Sequence, residues 1–247
     1  ELASGLIGQG RMAEPETIAS EIEKFFNSSF SHQLHGKTVL ITAGPTYEAI
    51  DPVRFIGNHS SGKMGFSLAE EASKRGAKVI LITGPSAQIT SNKNIEIHRV
   101  TSAKEMFDQV FKHYDQADIA IASAAVADYA PKEVAREKIK KNDDSLTIEL
   151  VKNPDILKTM GERKTKQFLA GFALETENEL ENAKAKLIRK NLDMIVLNSL
   201  KDEGAGFKTA TNKITILTPS EINEFPLKNK SEVAKDILDF IASQILK

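Results

Sequence analysis

Lys37-Thr38-Val39-Leu40-Ile41-Thr42 runs directly into Ala43-Gly44-Pro45-Thr46. The first six residues are apolar or β-branched after the lysine and do not alternate. That is the pattern of a strand buried on both faces. Gly44 and Pro45 then break it. Further short strand-like segments lie at 78–83, 95–100, 117–122, 168–173 and 194–198. Between them lie helical periodicities. One spans 62–75, with Met64, Leu68 and Ala72 on one face and Gly76 as its stop. Another follows Ser102 and carries Met106, Val110 and Phe111. A third starts at Asn153-Pro154-Asp155 and ends near Arg163, a fourth covers 177–190, and Ser231 opens the last, to Ile245. This β-α-β rhythm predicts an α/β fold: a Rossmann-like open, mostly parallel sheet with helices on both faces.

Two segments alternate instead. Leu146-Thr147-Ile148-Glu149-Leu150 and residues 213–218 read as half-exposed strands. Such strands turn one face to a partner or to solvent; with a partner, they make a smaller, strand-rich dimerisation subregion around Ile148 and Ile214. Residues 1–35 stand apart. Ile18, Ile22, Phe25 and Phe26 recur at helical spacing, and the polar residues 27–35 read as a linker. The main domain is therefore expected over 36–247.

Composition narrows the function. The chain has 247 residues, 33 Lys+Arg against 34 Asp+Glu, and a net charge of -1. This balance disfavours a nucleic-acid binder that relies on global charge. The absence of cysteine excludes disulfide scaffolds, zinc–thiolate sites, iron–sulfur clusters and thiol catalysis. His32, His35, His59, His98 and His113 are too scattered to suggest a His-rich metal site. No apolar run is long enough to span a membrane and no signal peptide opens the chain, so a cytoplasmic protein is expected. Glu1 in place of an initiator Met suggests a piece of a longer chain.

In an open parallel sheet, ligands bind beyond the carboxyl ends of the strands. The loop after the first strand is not G-x-G-x-x-G, and the second strand lacks a closing acid. A nicotinamide-dependent dehydrogenase is thereby disfavoured. The long connection from Asp51 to Gly65 carries Arg54, Asn58, His59, Ser60 and Ser61 into Gly62-Lys63-Met64-Gly65. Small residues at a helix start suit an anion, although Ser60 also suits a plain helix cap. Ser123-Ala124-Ala125-Val126-Ala127-Asp128 combines tiny side chains with a carboxylate. It suits either close packing or a flat ring laid on the backbone. Glu137-Lys138-Ile139-Lys140-Lys141 is either a solvated face or a basic flap over a polyphosphate, in a stretch with few apolar anchors. Lys186 and Lys190 lie one helical turn apart.

These segments, with Gly44-Pro45-Thr46, Lys152-Asn153-Pro154-Asp155 and Arg189-Lys190-Asn191-Leu192-Asp193, resemble the bacterial phosphopantothenoylcysteine synthetases, in order and from about residue 36 to 247. Gly8 to Pro15 resembles the tail of a decarboxylase domain that precedes the synthetase in many bacterial bifunctional chains. The resemblance implies a ligase of coenzyme A biosynthesis. It would join 4′-phosphopantothenate to L-cysteine and cleave CTP to CMP and pyrophosphate, with Mg²⁺ held mainly by the CTP phosphates and no flavin in this chain. It assigns Ala122, Ser123, Ala124, Asp128, Lys138, Lys152, Asn153, Pro154, Asp155 and Phe172 to the nucleotide, and Lys186 and Lys190 to its triphosphate. It gives Lys138, Asn58 and Arg54 to the chemistry. Arg54, Asn58 and Ala125 also match the substrate site, and by analogy Ser60, Ser61, Gly62, Lys63, Met64 and Gly65 hold the substrate phosphate. A homodimer in which each partner's loop completes the other site is further implied. The rival of another class is a nucleotide-binding module without turnover.

Overall fold

The structure is a computed structural model that describes residues 12–30, 33–140, 145–175, 177–199 and 209–246. In chain order it contains α1 (Pro15–Phe30), β1 (Thr38–Ala43), β2 (Tyr47–Ala49), β3 (Phe55–Gly57), α2 (Lys63–Lys74), β4 (Lys78–Thr83) and β5 (Ile95–Arg99). There follow α3 (Ala103–His113), β6 (Ile119–Ala122), β7 (Tyr129–Pro131), β8 (Leu150–Lys152), α4 (Ile156–Arg163), β9 (Phe168–Glu175) and α5 (Glu179–Arg189). The rest is β10 (Met194–Ser199), β11 (Thr211–Asn212), β12 (Ile214–Leu217), β13 (Ile222–Glu224), β14 (Lys228–Asn229) and α6 (Lys230–Ile245).

An eight-stranded sheet runs β13-β12-β10-β9-β6-β1-β4-β5. The six strands from β10 to β5 are parallel, and β12 and β13 add antiparallel to one edge. The Rossmann-like reading therefore holds. Alternate residues of the buried strands feed two cores. Val39 and Ile41 pack with Phe66 and Leu68 of α2 and Ile237 and Ile241 of α6. Leu40 faces the other way, with Met106 and Val110 of α3, Met160 of α4 and Leu187 of α5. Outside the sheet, β2 pairs with β3, β7 with β8, and β11 with β14, all antiparallel.

Several local expectations change. The helix α1 continues to Phe30. Leu34 is fully buried in the main core, and its N–H donates to the Arg75 carbonyl at 2.9 Å. The segment read as a linker therefore joins the fold before residue 36; residues 31 and 32 lie outside the described residues. Residues 145–149 have no regular structure, and the strand there is Leu150–Lys152. Its three-residue partner β7 offers pairing for no more than that. Ile214 does not face a second copy: it is buried under α6, on a strand flanked by β10 and β13. Asn229, not Ser231, caps α6, in a capping box with Glu232. Ser60 caps no helix: α2 is entered through Gly62, at φ 79°.

Candidate functional site

The sheet order reverses between β1 and β6, so a crevice opens beyond their carboxyl ends. Ser123 to Ala127 lie in that crevice, stitched to the loop after β1. Ala125 N donates to Gly44 O at 2.9 Å, and Ala127 N to Thr46 Oγ1 at 2.9 Å. On the other side of that loop, Gly84 follows β4, where a side-chain carbon would lie 1.6 Å from the Pro45 carbonyl oxygen. Ala124, Val126 and Ala127 of this segment line a cavity.

That cavity holds about 440 Å³. Its wall includes Ala122, Ala124, Asp128, Lys152, Asn153, Pro154, Asp155, Phe172, Lys186 and Lys190, which are all but Ser123 and Lys138 of the residues expected at the nucleotide. Asn153 Nδ2 donates to the Ala127 carbonyl at 2.8 Å and fixes the loop. Asp155 caps α4 by accepting from Lys158 N at 3.0 Å, and it accepts from Lys190 Nζ at 3.0 Å. Burial alone would raise the Asp155 pKa; the Lys158 N–H and the Lys190 ammonium overcome this and hold it below the ordinary carboxylate range. Lys186 Nζ donates to the Phe172 carbonyl at 2.8 Å. Burial, and then the like charge of Lys190, lowers the Lys186 pKa. Two neighbouring ammonium groups, one of them largely desolvated, make a place where a polyanion relieves both costs.

A second cavity of about 290 Å³ adjoins the first. It is lined by Ser60, Ser61, Gly62, Lys63, Met64, Gly65, Ser123 and Ala125, as well as by Asn198, Asn212 and Lys230. Among the described residues no side chain caps α2, and its first turn carries no acid. Its leading N–H groups and dipole therefore favour an anion in this cavity. Ala124, Val126, Asp128, Phe172 and Lys186 line both cavities. Lys186 thus stands at the junction of the two.

Arg54, Asn58 and Lys138 lie outside both cavities. Asn58 Nδ2 donates to the carbonyls of Ala125 at 3.1 Å and Val126 at 3.3 Å, so it sits behind the lining loop. Arg54 holds Asp51 through Nε at 3.0 Å and donates from Nη2 to the Ile139 carbonyl at 3.0 Å. The Asp51 carboxylate also accepts from the backbone N–H groups of Val53, Arg54 and Ile139. With Ala135 N donating to Ile50 O, polar contacts tie the basic stretch to the loop after β1 as far as Ile139. Lys141 to Asp144 lie outside the described residues.

Lining residues that the sequence does not single out include Thr42, Tyr129, Ile156 and Leu157 in the first cavity and Ala173, Leu174, Asn198, Asn212 and Lys230 in the second. Asp51 acts beside the site through its hydrogen bonds. Its signal is the Asp-x-x-Arg spacing, which lets one carboxylate accept the N–H groups two and three residues on.

Residues 34–245 match the family model of the DNA/pantothenate metabolism flavoprotein C-terminal domain. The chain is 51% identical over 242 residues to a cysteine/cysteine sulfinic acid decarboxylase from an unknown prokaryotic organism, covering 96% of this chain and 67% of the relative. It is 48% identical over 243 residues to the coenzyme A biosynthesis bifunctional protein CoaBC of Bacillus subtilis (strain 168), covering 98% of this chain. It spans only 60% of that relative's length. A crystal structure of the C-terminal domain of a coenzyme A biosynthesis bifunctional protein CoaBC superposes with a TM-score of 0.74 at 45% identity, over 87% of this chain and 98% of that one.

Proposed function

The chain belongs to the DNA/pantothenate metabolism flavoprotein C-terminal domain family, and on that premise we propose that it is a ligase of coenzyme A biosynthesis. It joins 4′-phosphopantothenate to L-cysteine and cleaves CTP to CMP and pyrophosphate. The observation that carries this reading is Lys186, which lines both cavities with Lys190 one turn away. Such a groove suits a nucleotide whose base lies in the first cavity and whose phosphates pass the two lysines. The shared lining then favours placing the terminal phosphates, rather than the substrate phosphate, at the start of α2.

The chemistry follows from charge. A carboxylate does not condense with an amine in water, because the leaving oxide is too basic. Attack of the phosphopantothenate carboxylate on the α-phosphorus breaks the bond to pyrophosphate and gives an acyl-cytidylate. The cysteine amine then attacks the acyl carbon, loses a proton and expels CMP. The first step crowds negative charge, which Lys186, Lys190 and the N–H groups of α2 offset. Lys138, held near the loop by its neighbour Ile139, stabilises the departing phosphate. Asn58 and the backbone of Ala125 orient the acyl group.

Mg²⁺ would arrive with the phosphates and neutralise their charge. Of the two carboxylates in the first cavity, Asp155 is engaged by Lys190, whereas Asp128 lines both cavities and suits a hard cation.

The active form in this reading is a homodimer. Its interface lies on the β2–β3 and β7–β8 pairs, where Val53, Phe55, Tyr129, Leu150 and Val151 are exposed. Arg54 and Lys138 lie beside that surface, suited to a partner's groove. In a longer bifunctional chain, residues 1–35 would lead back to a decarboxylase domain. No helix among the described residues is long and apolar enough to cross a membrane.

The test supplies 4′-phosphopantothenate, cysteine, CTP and Mg²⁺ and measures amide and CMP. Equal amounts of both are expected. CTP binding without turnover would favour the nucleotide-binding module.

A further inference from the structure

We propose that Glu96, His98 and His113 form a binding site for a divalent transition-metal ion of the zinc, cobalt and nickel class. The sequence spacing gave no reason to join the two histidines. The fold does. Glu96 and His98 are two residues apart on the edge strand β5, so their side chains share one face. His113 ends α3 against that face, and the two imidazole rings lie 4.6 Å apart, centroid to centroid. One ligand atom from each of the three residues falls within 4.8 Å of the others. None of the three lines either cavity.

A second observation points to a ligand. His113 is only 9% exposed, and its Nε2 has no hydrogen-bond partner among the described residues. Its Nδ1 lies 2.9 Å from the Gln116 side-chain amide. Buried polar atoms are normally satisfied, and a metal bond satisfies this one. With the metal on Nε2, Nδ1 carries the proton and donates to the Gln116 carbonyl oxygen after a turn of the amide. That bond fixes the tautomer and orients the ring of a ligating histidine, as an outer acceptor does. His98 Nε2 and Glu96 Oε1 already meet at 2.9 Å, and an ion would take the place of that contact.

Two imidazoles and one carboxylate suit a borderline ion, whereas Mg²⁺ and Ca²⁺ prefer oxygen alone. Three protein ligands leave a position for water. Lys78 and Lys112 bring positive charge to His113, so the Glu96 carboxylate is the group that makes the site attractive to a cation.

The experiment titrates the nucleotide-free chain with ZnCl₂ by calorimetry and with CoCl₂ by visible absorption. One ion is expected in this site, with affinity falling at least about tenfold in His98→Ala, His113→Ala and Glu96→Gln. The visible cobalt bands should fade in the same variants. His98→Ala, at a partly exposed position, keeps the test decisive if His113→Ala misfolds. Unchanged zinc affinity and cobalt bands in His98→Ala would overturn the proposal, as would failure of the parent chain to bind either ion.

Discussion

Arg54 donates to the carbonyl oxygen of Ile139 at 3.0 Å, across 85 positions of sequence. Asp51 completes the clamp by accepting from Ile139 N at 3.1 Å. The loop after the first strand therefore fixes the backbone beside Lys138. Replacing Asp51 by Asn removes the charge that holds both Arg54 and Ile139. Displacing a reacting group by about 1 Å typically costs about 10²-fold in rate. Asp51→Asn should lower kcat on that scale, leave CTP binding nearly unchanged and raise hydrogen exchange over 135–140.

The same clamp has a pH signature. The Arg54 guanidinium, aided by three backbone N–H groups and opposed by burial, holds the Asp51 carboxyl well below the ordinary range. A carboxyl depressed by folding stabilises the fold above its unfolded pKa of about 3.9, and that stability fades as pH falls toward the folded pKa. Thermal unfolding should show a constant gap between the parent chain and Asp51→Asn above about pH 5, narrowing below about pH 4. A gap that widens on acidification would contradict this.

Lys186→Ala should weaken CTP more than CMP. A charge-assisted contact is worth about 1.5–3 kcal/mol, or roughly 10- to 150-fold in affinity. Calorimetry with both nucleotides checks it. Equal weakening would show that Lys186 does not face the outer phosphates.

Asn58→Asp should separate the two steps. Asn58 now donates to the carbonyls of Ala125 and Val126. A carboxylate there meets two carbonyl dipoles and frees the loop that carries Ala125. Displacing a reacting group by about 1 Å typically costs about 10²-fold in rate. Quenched reactions should accumulate acyl-cytidylate with little amide. Amide at the normal rate would remove Asn58 from the second step.

Gly65→Ala should destabilise the fold. The added carbon would lie 2.5 Å from Ala43 Cβ and 2.8 Å from Ser123 Oγ. Forcing α2 off β1 should cost about 1–3 kcal/mol, read as a fall of several degrees in Tm.

The parallel strands were legible because 39–41, 79–82 and 194–197 are unbroken apolar runs, which burial on both faces requires. Lys186 and Lys190 were legible because helical spacing alone puts them on one face. Ile214 was misread because alternation reveals that the two faces differ, not what covers them. Its cover, α6, begins sixteen residues later, at Lys230. Asn198, Asn212 and Lys230 reach the second cavity through β10 and the β11–β14 pair, a tertiary arrangement with no local pattern.

The most direct test of CTP-driven ligation follows oxygen. 4′-Phosphopantothenate labelled with ¹⁸O in its carboxylate is turned over with CTP, Mg²⁺ and cysteine, and the products are weighed by mass spectrometry. If the carboxylate attacks the α-phosphorus, one labelled oxygen leaves with the phosphate of CMP, and pyrophosphate stays unlabelled. Label in inorganic phosphate alongside CDP, or amide formed with no label in CMP, would contradict the acyl-cytidylate route.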